Sequence, residues 1–498
     1  MKYHLVTLGC PKNAVDSEGM DGILNAEGHT PAANADDADI IIVNTCSFIA
    51  SARTETLEVL KTLGASKRDD QQLIAAGCMA QSHGELVAAV PGVDNILSTQ
   101  KWMQIGALVH DGRRQTVDGG SGDARRTMPV IALQQTPRAP APPSTIHRPS
   151  SEVPAPPSTV HRPPSELGYA DWRTAQIRRT RATPSAYLKI SDGCNLRCAF
   201  CTIPSFKGDM ASKPMGAILA EAQELAAAGV REIVLVAQHL TDYGRDLGLK
   251  DGLATLLDEL CQLLPANVWV RLMYAYPHGI SGRLIEVMAK HPQIVKYLDM
   301  PLQHAHPATL RRMRRPPDTE RTRGILRDLR AAMPDIALRS GFIVGFPGES
   351  TEEFRALLGF LEEVQLDRVG AFRYSQEPGT HAATLPDQVR PQVIERRWHE
   401  LMQLQQRISR ARNSRWLGRS VDVLIEGHGK ADDGRPLAVG RSFRDAPEVD
   451  GQVFVWGEPA VGTIVAAQIT RTTEYDLWGE LNEGTGHKAQ GTAKPGML

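Results

Sequence analysis

The sequence carries almost no net charge. Its 56 Lys and Arg are balanced by 57 Asp and Glu, which leaves −1 with neutral histidines. That balance argues against a generally basic nucleic-acid binder, although a local basic patch stays open. Long hydrophobic runs are also missing, and nothing approaches the roughly 18 apolar residues of a spanning helix. The N-terminal stretch, Met1 to Leu8 followed by Gly9-Cys10, has neither a basic n-region nor an apolar segment long enough for a signal peptide. We therefore expect a cytoplasmic protein with no membrane association. Cysteine is scarce, at seven in 498 residues. In a reducing compartment such cysteines are poor disulfide candidates and better metal ligands.

Six of the seven cysteines form two triplets of different construction. Cys194, Cys198 and Cys201 share one short loop, whereas Cys10, Cys46 and Cys78 are scattered over the first eighty residues. Each triplet offers three thiolates and no obvious fourth ligand, an arrangement suited to an iron–sulfur cluster with one iron left open. Two such sites point to chemistry that needs two open irons. Zinc is the metal alternative for the compact loop, but a structural zinc site wants four ligands, and no Cys or His pair stands nearby to complete it.

The expected fold class is α/β, in three parts. Residues 1–110 read as an open parallel sheet with helices, with strands at Tyr3–Leu8, Asp39–Val43 and Gln72–Ala76. Each of these strands is followed within three residues by a cysteine. In an open parallel sheet the carboxyl ends of the strands line one edge, so Cys10, Cys46 and Cys78 should meet there. Residues 111–182 are rich in Pro, Arg, Ser and Ala, with a 14-residue tandem repeat at Ala139–Glu152 and Val153–Glu166. That composition predicts an extended, largely disordered linker.

Residues 183–412 show six strand candidates: Ala186–Ile190, Glu232–Ala237, Val268–Met273, Tyr297–Met300, Ala337–Val344 and Arg368–Phe372. Six βα units fit an incomplete (β/α)6 barrel better than a closed eight-stranded one. Short strands at Val421–Ile425, Pro436–Val439, Gln452–Val455 and Gly462–Ile469 predict a small C-terminal β-barrel at 415–481. Residues 482–498 read as a disordered tail. The seventh cysteine, Cys261, sits in an apolar helical stretch and is expected to be buried as a small hydrophobe. The run Arg311-Arg312-Met313-Arg314-Arg315 reads as a solvated helix end, with RNA contact as the alternative.

The loop Cys194-x3-Cys198-x2-Cys201 follows the first barrel strand, at the mouth where barrel active sites lie. It resembles the motif of the radical S-adenosylmethionine (SAM) superfamily. The resemblance implies a [4Fe–4S] cluster whose open iron binds SAM, and a radical that abstracts hydrogen from an unactivated carbon. It nominates Phe200, just before the last cysteine, as lying near the adenine; core packing is the competing reading. Gln238, at the end of the second barrel strand, could reach the same site. The glycines of Gly341-Phe-Ile-Val-Gly345-Phe-Pro-Gly348 would allow close approach of backbone to a ligand, or serve only the following turn.

The three parts in this order resemble the methylthiotransferase family, with a TRAM-like C-terminal module. That likeness implies two [4Fe–4S] clusters, at Cys194, Cys198, Cys201 and at Cys10, Cys46, Cys78, with SAM as both radical source and methyl donor. Gly9-Cys10-Pro11-Lys12-Asn13 resembles the ribosomal-protein branch (RimO type), where the tRNA branch (MiaB type) typically reads Gly-Cys-Gln-Met-Asn. Gly440-Arg441-Ser442 and the acidic turn Asp445 to Gly451 point the same way. The implied substrate is one aspartate of small ribosomal subunit protein twelve, methylthiolated at its β-carbon. The implied electron donor is a flavodoxin or ferredoxin, and the sulfur donor stays open. An acidic turn at Asp445, Glu448 and Asp450 would suit a basic ribosomal protein better than tRNA phosphates. The alternatives are a tRNA adenosine methylthiotransferase and a non-enzymatic iron–sulfur carrier. Two departures from the family pattern stand out. Lys207-Gly208 and Ser212-Lys213 replace the usual arginines, and His239-Leu240 replaces Asp-Thr after Ala237-Gln238.

Overall fold

The computed structural model describes residues 1–114, 171–173, 177, 179 and 183–482. Most of the expected disordered linker and the whole tail beyond Asn482 lie outside the described residues. The helix Ile105–Arg114 runs into the linker segment from one side, and Ile177 is buried on the other. No helix among the described residues is long and apolar enough to cross a membrane.

The N-terminal part is a five-stranded parallel sheet in the spatial order Thr30–Pro31, Lys2–Thr7, Ile40–Thr45, Gln72–Gly77, Asn95–Ser98. The first and last of these strands carry no strong pattern in the sequence. Ile40–Val43 and Leu73–Ala76 are near-continuous apolar runs, as expected of strands covered on both faces. The strand order reverses between Lys2–Thr7 and Ile40–Thr45, the topological switch point at whose carboxyl ends ligands bind in open parallel sheets.

The central part is a six-stranded parallel sheet ordered Ser185–Lys189, Glu232–Val236, Trp269–Leu272, Ile294–Asp299, Ala337–Val344, Arg368–Arg373. It is open, so it is the incomplete barrel that the six βα units predict. One apolar core lies between the sheet and its outer helices and includes Cys261. The inner face is filled by neighbouring parts of the chain. Val234, Val236, Trp269 and Tyr297 share a second core with Val15, Met20 and Trp102 of the N-terminal part and with Leu424 and Ala446 of the C-terminal part. The C-terminal part is a closed five-stranded barrel; its fifth strand, Leu477–Leu481, is absent from the sequence reading.

The acidic turn near Asp450 does not serve the purpose the sequence suggests. Asp445 accepts from Arg368 at 2.8 Å, and Asp450 accepts from the Tyr297 hydroxyl at 2.7 Å and pairs with Arg339 at 3.3 Å. Both carboxylates are almost fully buried, leaving Glu448 as the exposed acid of the three. Arg441 of the same module pairs with Glu232 at 2.5 Å, and Glu232 also accepts from Arg271 at 2.6 Å. Arg271 donates to the carbonyls of Phe443 and Ser442 at 2.8 and 3.1 Å. The physical reason is charge balance. Three arginines line the inner face of the open barrel, and buried guanidinium groups need acceptors, which the C-terminal turn supplies. The turn is therefore a dock between parts of this chain and, apart from Glu448, not a free surface for a basic partner.

Candidate active site

The scattered triplet gathers at the sheet edge. Cys10 precedes the helix Pro11–Ala26, Cys46 follows Ile40–Thr45, and Cys78 opens the short helix Cys78–Ser82 after Gln72–Gly77. Gly9 has φ +93°, and a Cβ there would lie 2.7 Å from the Cys46 Sγ, so only glycine lets these two loops approach. Asn13 ties all three loops together. Its amide donates to the carbonyls of Leu8 and Thr45 at 2.9 and 3.0 Å, and its Oδ1 accepts from Cys78 Sγ at 3.5 Å. Asn44 donates to the Asn13 carbonyl at 2.8 Å. Burial pushes the Cys78 thiol up to about 12, with the Cys10 and Cys46 charges adding to it and the Lys207 ammonium opposing it. Burial raises Cys46 as well. Buried thiols such as Cys46 and Cys78 ionise together only when a cationic group binds them, which is the condition an iron–sulfur cluster meets.

The compact triplet sits at the barrel mouth. Cys194 is buried, while Cys198 and Cys201 are half-buried. Gly193, with φ +79°, turns the chain into the loop, and the Cys194 N–H donates to the Gly208 carbonyl at 3.1 Å. Ala199 N–H donates to the Met313 carbonyl at 2.9 Å. Burial pushes the Cys201 thiol up to about 12, and the Cys198 and Cys194 charges push the same way. Arg315 lies against Cys198, with Nη1 3.7 Å from its Sγ. The Arg315 guanidinium also stacks over Tyr276 at 4.2 Å and donates to the Pro301 carbonyl at 2.6 Å. The expectation of a solvated end for the arginine run is thus wrong for Arg315, which is buried. The helix Pro307–Arg312 has already ended, Arg314 takes φ +55°, and the Arg315 N–H donates back to the Leu310 carbonyl at 2.8 Å. Among the described residues, no set of three or more His, Cys, Asp or Glu side chains converges on a single-ion position.

An ion cluster joins the two sites. Asp16, on the helix that starts after Cys10, pairs with Lys189 and lies 3.6 Å from Lys207. Asp192, two residues before Cys194, pairs with Lys207 at 3.0 Å and Lys189 at 3.5 Å. Burial would raise the Asp192 carboxyl, but the two ammonium groups outweigh it and hold it well below the usual range. Gln238 donates to Asp192 at 2.7 Å, and its Oε1 is buried without a partner. Lys207, which replaces the arginine of the family pattern, thus bridges two carboxylates.

Phe200 meets Phe346 edge-on at 6.5 Å and packs with Ala199, Met313 and Ala382, so it has packing partners at the mouth. His239, the other departure, is buried 5.0 Å from the Tyr276 ring, and neither ring nitrogen has a hydrogen-bond partner among the described residues. Burial pushes its pKa down to about 4. Tyr274 and Tyr276 went unnoticed in the sequence. Their position just past the strand Trp269–Leu272 is the signal that could have found them. Lys12 lies 4.1 Å over the Tyr274 ring.

Known proteins resemble this chain over nearly its whole length. A model described as the radical SAM superfamily matches residues 188–361, one for the uncharacterized protein family UPF0004 matches 2–98, and one for the TRAM domain matches 417–481. The chain is 69% identical over 480 residues to "Ribosomal protein uS12 methylthiotransferase RimO" of Chloroflexus aurantiacus, covering 96% of this chain and 99% of that protein. The protein of the same name in Roseiflexus sp. is 65% identical over 490 residues, covering 98% and 99%. The one in Geobacter sulfurreducens is 38% identical over 486 residues, covering 96% and 98%. Among solved structures, the fold resembles that of the radical SAM methyltransferase TsrM from Kitasatospora setae with cobalamin and a [4Fe-4S] cluster bound. The TM-score is 0.52 at 15% identity, covering 76% of this chain and 73% of that one.

Proposed function

The chain belongs to the ribosomal protein uS12 methylthiotransferase family of radical SAM enzymes, and from that premise we propose that it adds a methylthio group to the β-carbon of an aspartate in uS12. It is a transferase that uses SAM and a [4Fe–4S] cluster. We assign that cluster to Cys194, Cys198 and Cys201, and a second one to Cys10, Cys46 and Cys78. The observation that carries the reading is the pair of cysteine triplets held on either side of the Asp16–Lys189–Lys207–Asp192 ion cluster. A radical site and a sulfur site must face one substrate carbon, and a rigid bridge between them holds that geometry.

When bound, the two clusters and SAM supply hydrogen abstraction, sulfur insertion and methyl transfer. This chain's residues prepare the place. Arg315 sets a fixed positive charge beside Cys198 and offsets the negative charge of the thiolates. Asp192 and Gln238 anchor the start of the cysteine loop. Phe200 supplies an apolar edge at the mouth, where we place the adenine of SAM. Electrons come from a flavodoxin or ferredoxin in the cytoplasm.

The test is anaerobic reconstitution with iron, sulfide, SAM and reductant, followed by mass spectrometry of uS12 and of tRNA incubated with the enzyme. A methylthio group on the uS12 aspartate is expected. Modified tRNA adenosine with unchanged uS12 would overturn the substrate assignment, and absence of SAM cleavage would leave a non-enzymatic iron–sulfur carrier.

A further inference from the structure

We propose that Lys12 receives the carboxylate of the aspartate being modified and is a specificity-determining residue of this site. The inference rests on the uS12 reading above and deepens it. Lys12 is 9% exposed. The other lysines with side chains as deeply buried are all ion-paired: Lys189 with Asp16, Lys207 with Asp192, and Lys213 with Glu221. Lys12 has no carboxylate partner among the described residues. Its ammonium instead lies 4.1 Å over the Tyr274 ring, a contact worth about 1–2 kcal/mol and less than a buried ammonium gives up in hydration. A buried cation held open in this way is a receptor for an anion.

Its place in the fold says which anion. Lys12 is two residues past Cys10, on the first turn of Pro11–Ala26. Tyr274, beneath it, follows the barrel strand Trp269–Leu272, at the end where the compact cysteine loop lies. Lys12 therefore stands between the two cysteine sites. The carbon to be modified is bonded directly to the carboxylate carbon of the substrate aspartate. Whatever holds that carboxylate must stand at the reacting centre, and a compact ammonium can do so without covering the neighbouring carbon. Tyr274 adopts φ +64°, a left-handed conformation costly for an aromatic residue and found where the surroundings impose it. The Tyr187 hydroxyl, on the neighbouring part of the inner face, is buried without a partner.

The experiment measures binding of a fluorescent uS12 peptide carrying the target aspartate, and of its Asp-to-Asn form, to the reconstituted full chain with SAM. Wild-type protein is expected to bind the aspartate peptide about 10- to 100-fold more tightly, the span of one to two charge-assisted hydrogen bonds. Lys12→Met, which keeps the length and removes the charge, should abolish that difference by weakening the aspartate peptide alone. Lys12→Arg should keep most of it. Iron content is measured on each variant. Should Lys12→Met lose iron, Lys12→Gln, which keeps a polar chain without the charge, is measured in its place. Equal wild-type affinity for both peptides would overturn the proposal, as would a difference that survives in Lys12→Met. Unchanged affinity with loss of methylthio product would place Lys12 in sulfur delivery and also overturn it. A wild-type enzyme that neither binds the peptide nor modifies uS12 would instead refute the uS12 reading itself.

Discussion

Replacing Glu232 with Gln should cost the folded state about 3 kcal/mol. Glu232 is fully buried at the start of its strand and holds two guanidinium groups, Arg271 at 2.6 Å and Arg441 at 2.5 Å, with Ser185 donating at 2.8 Å. Two routes give the magnitude. Removing one partner of a buried ion pair costs about 3–5 kcal/mol, because the remaining charge is stranded. Burial alone would raise the carboxyl, but Arg271 and Arg441 hold it near 2 against an ordinary 4.5. That depression corresponds to about 3 kcal/mol. The sign follows from the direction: a depressed carboxyl contributes its stability above pH 4.5 and loses it as pH falls toward 2. Urea unfolding of wild type and Glu232→Gln, followed by tryptophan fluorescence, should give a stability difference that is constant near neutral pH and shrinks below about 4.5. A loss under about 1 kcal/mol at pH 7, the range of an exposed pair, would refute the claim that this group docks the C-terminal barrel.

Cys10→Ala should reduce reconstituted iron from about eight to about four atoms per chain, and Cys198→Ala should do the same at the other site. Loss of all iron in either variant would argue against two independent clusters. Gly9→Ala should selectively deplete the N-terminal site, since its backbone has φ +93° and its new methyl meets Cys46; iron analysis at unchanged secondary structure by circular dichroism checks this. Asp16→Ala leaves Lys189 and Lys207 to share Asp192 alone and should destabilise the chain by about 1–3 kcal/mol in the same urea assay.

The strand Gln72–Gly77 shows why so much of the site was legible. Its apolar run and the cysteine after it are both local signals, and parallel pairing brings such strand ends together whatever the rest of the chain does. The short strands Thr30–Pro31 and Asn95–Ser98 were missed because two to four residues carry too little periodicity to be recognised. The acidic turn was misread for a different reason. Composition shows that Asp445 and Asp450 are charged, but not that Arg368, Arg339 and Tyr297 wait for them inside the barrel.

By itself, then, the sequence determined the reaction class. The spacing of Cys194, Cys198 and Cys201, and the regular placement of Cys10, Cys46 and Cys78 after strands, are properties of adjacent residues and backbone repeat. Only the tertiary structure decided how the charges are partnered. It set Arg315 against Cys198, joined the two sites through Asp16 and Lys207, and left Lys12 without a carboxylate among the described residues. Ion pairs between residues tens to hundreds of positions apart leave no periodic trace along the chain. A buried charge is defined by what surrounds it, and that is settled only when the three parts pack together.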